Sequence, residues 1–298
     1  MKKKKWISFG LVVGLGLAAI LFNGFQAIGS SNSGYEQYQA AWKKTQAAKS
    51  YTGNLHVTLS DNGKKSVDIV SEIQNDQTKN LSSRQMQLTL GDKKHLIHFY
   101  SQQDHQYVQD ANGKIYELNH QKKWGQSDHK WANESEGSTI RETIVDTLFG
   151  NIKQQVQIEE LQNGSKKVSL SLNNKQIPAV IQAIGSFAIK KAGGHQEVFA
   201  KHSISSVIPG LDEEIKKQKP QLTQDVKIQS FQLQSTINRS ELIERQHATI
   251  VVTGKDVMSK QHQLTINIEL NRSKINQTTP KQVPLNGKKV EKISWGRS

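Results

Sequence analysis

From Tyr51 onward, apolar residues fall at every second position. Leu55, Val57 and Leu59 alternate with polar neighbours, Asp61-Asn62-Gly63 interrupts them, and Val67 and Ile69 resume the series. Met86, Leu88 and Leu90 follow, then Gly91-Asp92, then His95, Ile97 and Phe99. Tyr107 lies in a further short strand. Asn112-Gly113 is the strongest hairpin signal in the chain and sets 114–119 opposite 106–110. Period-two alternation predicts strands with one buried and one wet face, and turns this short make neighbouring strands antiparallel. A second set of strands is predicted at Val156 and Ile158, at Val168 to Leu172 across Asn163-Gly164, and at 226–233, 248–253 and 264–270. Val226 and Ile228 share one phase and Phe231 and Leu233 the other, so a bulge is expected near Ser230. Residues 289–295 are either a last strand or a frayed tail.

Helical spacing appears in three places. Tyr35, Tyr38, Ala41, Trp42 and Thr45 form one stripe of a helix over 34–49, with Ser33 as its cap and Lys43, Lys44 and Lys49 off the stripe. Ile140, Ile144, Leu148 and Ile152 recur every four residues behind a Thr139/Glu142 capping box. Asn174 is read as the cap of a third helix with Ile177, Val180, Ile181, Ile184 and Phe187 inward, Pro178 in its first turns and Gly193-Gly194 at its end. Residues 195–222 are irregular, with a brief helix expected at Asp212 to Lys219. The predicted fold class is α+β. A strongly curved, mostly antiparallel sheet (a half-barrel) carries helices on one face, and the two meanders form either one sheet or two related halves.

The N-terminus adds a membrane element. Lys2 to Lys5 precede an apolar run from Trp6 to Phe22, and no further charge appears before Glu36. The organisation read from this is a basic cytoplasmic segment at 1–5, a transmembrane anchor or signal peptide at 6–25, a spacer at 26–33, and an extracytoplasmic domain at 34–298. An uncleaved anchor and a cleaved secretory signal, cut after Ala27-Ile28-Gly29, both stay open. The cell membrane is thus the first expected partner, through residues 6–25.

Tyr38, Trp42 and Lys49-Ser50-Tyr51 lead into Leu55-His56-Val57-Thr58-Leu59, and the hairpin Tyr107 to Tyr116 is followed by Trp124. In this order of elements the chain resembles the LolA/LppX-like group of lipoprotein-carrier-like envelope proteins, over about 34–270. The resemblance implies a groove between a concave sheet and its helices that takes acyl chains. Its lining here would be Leu88, Phe99, Ile144, Leu148, Ile184, Phe187, Leu264 and Ile266, as core side chains first and ligand contacts second. There is no lipidation cysteine, and an anchored chain cannot shuttle. A ligand would be presented, buffered or sensed at the membrane.

Composition narrows the chemistry. The 298 residues contain no cysteine, which excludes disulfides, thiolate metal sites and a cysteine nucleophile. Lys and Arg number 40 against 26 Asp and Glu, giving a formal charge of +14. The excess persists past the four leading lysines, so a lipid headgroup surface or an anionic wall polymer is a candidate partner. Lysine pairs such as Lys64-Lys65 and Lys93-Lys94 are scattered along the chain, with Lys123-Trp124 and Lys130-Trp131 the close pairings of a basic residue with an aromatic, so no nucleic-acid partner is expected. The ten histidines show no zinc spacing and read as exposed strand residues. His95 and His98 should face opposite sides, and His247 and His262 lie on successive strands, where they could be neighbours. Glu159-Glu160 and Asp212-Glu213-Glu214 are the tight acidic groups, read as a strand end and a surface turn. No phosphate loop or nucleophile motif occurs, no cofactor is implied, and the function predicted is non-enzymatic.

Overall fold

The computed structural model describes residues 34–120, 152–179, 181–182, 186, 207–218 and 220–295. One helix, α1 (Gly34–Gln46), is followed by six strands: β1 (Ser50–Asp61), β2 (Lys64–Asp76), β3 (Leu81–Leu90), β4 (Lys93–Gln102), β5 (His105–Gln109) and β6 (Ile115–His120). Then come β7 (Gln157–Glu160), β8 (Lys166–Asn173), α2 (Leu211–Gln218), β9 (Gln224–Ile237), β10 (Ile243–Lys255), β11 (Gln261–Ser273) and β12 (Val290–Trp295). Both meanders join in one open twelve-stranded sheet, in the order β12-β6-β5-β4-β3-β2-β1-β11-β10-β9-β8-β7. The seam between them is the antiparallel pairing of β1 with β11. The last strand departs from the meander reading, because β12 pairs with β6 in parallel.

The turns are built as their residues demand. Asn62 and Gly63 both have positive φ, 49° and 82°, the backbone that lets a two-residue connection follow the strands' twist. The expected bulge is present: Val251 pairs with Ser230 and Val252 with Ile228, leaving Gln229 as the extra residue. β8 ends opposite Ser230, so the start of β9 has no strand on that side. Side chains from 174–186 meet it instead. Gln182 accepts from the Ile228 N–H at 2.9 Å and donates to its carbonyl at 2.6 Å, Asn174 donates to the same carbonyl, and Ser186 donates to the Val226 carbonyl. Helical backbone occurs here at Ala179, Ile181, Gln182 and Ser186. Asn174 does not cap that helix: Asn173, at the end of β8, accepts from the N–H groups of Lys175 and Gln176 in a turn, and helical backbone begins only at Ala179.

One face of the sheet, the inner face, carries a continuous apolar core under α1 and α2. All five stripe residues of α1 are buried. Thr45 joins the helix end to the sheet by donating to the Ala41 carbonyl and accepting from the Ile243 N–H. α2 sits at the β3–β4 end, where Glu214 meets Lys93 at 2.7 Å and His95 at 2.8 Å. The tight acidic group is therefore the first turn of a docked helix rather than a surface turn.

Residues 274–289 cross the outer face as a strap. Thr278 pairs with Thr52, Lys281 N–H donates to Gln74, and Val283 N–H donates to Gln102. Val283 also completes a small second core with Tyr107 and Ile115. No helix among the described residues is long and apolar enough to cross a membrane. The 6–25 segment lies outside them, as do Lys122-Lys123-Trp124 and, apart from Ile152, the helix expected over 138–152.

Candidate functional site

Register converts sequence phase into rows across the inner face. The lower rows are closed. Val57, Ile69 and Leu88 share a row with Ile268, Ala248 and Leu233, and Leu59, Val67 and Leu90 share the next with Ile266, Ile250 and Phe231; all are buried. Of the predicted lining, Leu88 and Ile266 lie in these closed rows and Leu264 in the one below, beside Val252, at 0%, 3% and 3% exposure, as core. Ile144, Leu148, Ile184 and Phe187 are outside the described residues. Phe99 is different: it is only half-buried, and it belongs to a row further up the strands.

That row runs Phe99, Arg84, Ile73, Gly53, Arg272 across five adjacent strands. Except for Gly53, its members are half-buried, as are Tyr51 above it and Leu55 and Leu270 below it. The face thus changes character along the strands, from a sealed apolar floor to a partly uncovered band holding two guanidinium groups. Tyr51 lies over Gly53, where an added Cβ would sit 3.3 Å from its ring and 3.4 Å from Leu270. Its phenol interacts electrostatically with both Arg84 and Arg272. Burial pulls both guanidinium pKa values below the ordinary one.

Arg272 is held from α1. It donates to Gln246 Oε1 at 2.7 Å, and its guanidinium carbon lies 5.9 Å from the centre of the Trp42 ring. Gln246 in turn donates to the Tyr38 hydroxyl at 3.0 Å, and burial pushes that phenol's pKa up to about 12. Ser71, Gln246 and Ser235 lie in the next row, each 2% exposed, with Leu55 and Leu270 between Ser71 and Gln246. The Ser71 hydroxyl has no hydrogen-bond partner.

The sequence reading missed Arg84 and Arg272. A signal was there: each occupies the inward phase of its strand, two residues from Met86 and from Leu270. Reading only the apolar members of an alternating series passes over the charged one that shares their face.

The opposite end of the inner face corrects the histidine reading. His262 is buried, with Nδ1 2.9 Å from Asp61 and Nε2 3.3 Å from Asp256. It stands opposite Gly254, whereas His247 stands opposite Glu269, so the two histidines are not neighbours. His95 does face inward to Glu214, while His98 lies on the outer face beside Tyr100. Among the described residues, no group of three His, Asp or Glu side chains is placed to hold a metal ion.

No family model matches the chain, and no curated protein matches it in sequence. Among solved structures, a LolA superfamily protein from Nitrosomonas europaea is similar at 7% identity and a TM-score of 0.23, over 85% of this chain and 96% of that one. Lipovitellin, in a structure of its lipid–protein interactions, is similar at 8% identity and a TM-score of 0.24, over 78% of this chain and 26% of its own. A β-barrel-like protein of a domain of unknown function from Brucella abortus is similar at 7% and 0.19, over 76% and 100%. Each is a likeness, and none assigns a family or a ligand to this chain.

Proposed function

We propose that this chain is a non-enzymatic protein of the cell envelope, tethered by residues 6–25, whose curved sheet receives an apolar or amphipathic ligand on its inner face. One observation carries the reading: Leu55, Ile73, Phe99 and Leu270 stay half-buried directly above rows that are fully closed. A domain that only needed a core would gain about 25 cal/mol for each Å² of that apolar surface it covered. Leaving it partly uncovered fits a ligand that does the covering. The leader supports the location, since a basic cluster stays inside and sends the following domain out.

The full chain, extracted in a non-ionic detergent and examined by native mass spectrometry, should carry a co-purifying amphiphile of defined mass. A chain without any adduct, and unresponsive to added fatty acid or fatty alcohol, removes the ligand reading. A reporter fused to the carboxyl end should be active only outside the cytosol; activity inside removes the location.

A second reading, adhesion to an anionic wall polymer, has its own observation. Three adjacent turns, β3–β4, β1–β2 and β10–β11, bring Lys94, Lys64 and Lys260 to one end of the sheet, exposed and without acidic partners among the described residues. Retention on isolated cell walls that falls steeply with salt, and is lost on changing these three lysines to Glu, would support it. Salt-independent retention would count against it.

A further inference from the structure

We propose that the uncovered band is a headgroup site, and that the ligand is an anionic amphiphile whose head binds between Arg84 and Arg272 while its chain lies on the apolar floor. This rests on the ligand-binding reading above and names the chemical class of the ligand.

The placement is the argument. Arg84 and Arg272 occupy the same transverse row, separated by Ile73 and by Gly53, which has no side chain. Three strand spacings of roughly 4.8 Å put their backbones about 14 Å apart. Tyr51, which lies over Gly53, interacts electrostatically with both guanidinium groups, and that of Arg272 is turned toward Gln246 of β10 and the Trp42 ring. Three polar groups thus stand at the upper end of a face whose lower rows on these strands are apolar.

A structural role does not account for Arg272. A guanidinium has five N–H donors. The Gln246 bond uses one, and the rest have no partner among the described residues. No carboxylate neutralises Arg272 there, although a charge drawn out of water is costly unless paired. The Trp42 ring and Gln246 fix its plane, which preorganises the fork for a carboxylate or phosphate oxygen pair. The unpartnered Ser71 hydroxyl lies one row below, beside Leu55 and Met86. The next rows down are aliphatic and suit a chain rather than a second head.

Two probes with the same chain and different heads test this: palmitate and hexadecanol, offered together at equal concentration to the full chain in non-ionic detergent and counted by native mass spectrometry. Palmitate should be preferred about tenfold or more, the scale of one charge-assisted hydrogen bond. Arg84→Gln and Arg272→Gln should each erase that preference while hexadecanol binding stays. Arg272→Lys keeps the charge but not the fork, and should retain part of the preference. It serves as the reading if a Gln variant does not fold by circular dichroism. Equal binding of the two probes, or a preference that survives both Gln variants, overturns the headgroup site and leaves the groove standing. Binding of neither probe overturns the groove itself.

Discussion

At the scale of single residues, this structure is decided by where polar groups go once a strand pattern has buried them. Gln182 is the clearest case. Its carboxamide replaces a missing strand by meeting both backbone groups of Ile228 at the bulge. Gln182→Ala should lower stability by about 1–3 kcal/mol, because it strands a buried N–H. The Ile228 carbonyl keeps its bond from Asn174, so the loss should stay within that range. The midpoint of urea unfolding checks this; a variant as stable as the parent would show that water serves the bulge equally well. Such partnerships were not legible in sequence, since Gln182 and Ile228 are far apart along the chain and carboxamides read as surface. His262 was hidden for the same reason. Alternation places it on the inner face, but only the approach of Asp61 and Asp256 makes burial of an imidazole affordable.

At the scale of elements, the hairpins were legible and the docking of helices was not. Asn62-Gly63, Gly91-Asp92 and Asn163-Gly164 each turn where their backbone freedom allows, and the flanking alternation sets the register. The acids at the start of α2 gave no hint that one of them reaches another element. Glu214 is held below its ordinary pKa of 4.5 by the Lys93 ammonium first and by His95 second. A carboxylate whose folded pKa is depressed contributes stability above its unfolded value and loses it as pH falls through the folded one. Docking of α2 should therefore be constant near neutral pH and weaken as acid takes the pH below the ordinary carboxylate range. Hydrogen exchange should show amides of 211–218 losing protection there before those of β10 and β11. Glu214→Gln should expose the same amides at neutral pH and flatten their acid response. Loss of protection everywhere at once would mean that the helix is held by Leu211 and the apolar contact alone.

At the scale of the whole molecule, the sheet is two meanders joined at β1–β11 and finished by a strand from the far end of the chain. Neither the seam nor the parallel edge could be read from local pattern, because each pairs segments separated by well over a hundred residues, and periodicity carries no information about partners at that distance. What the strap does follows from its contacts. It covers the outer face of the first meander, donates to Gln74 and Gln102, and seals Tyr107 and Ile115 with Val283 before β12 extends β6. β5 and β6 are short and share three paired positions, so they lean on this covering more than the long strands do. Truncation after Ser273 should therefore unfold the molecule in parts. Amides of β5 and β6 should exchange near the unfolded rate while β9, β10 and β11 keep their protection, because among the described residues the strap's hydrogen bonds go to the first meander. The inner band should also suffer, since Phe99 pairs with Val108 of β5. If truncation lowered protection uniformly across both halves, the sheet would be one cooperative unit, and the strap would act on its total stability rather than on the edge it covers.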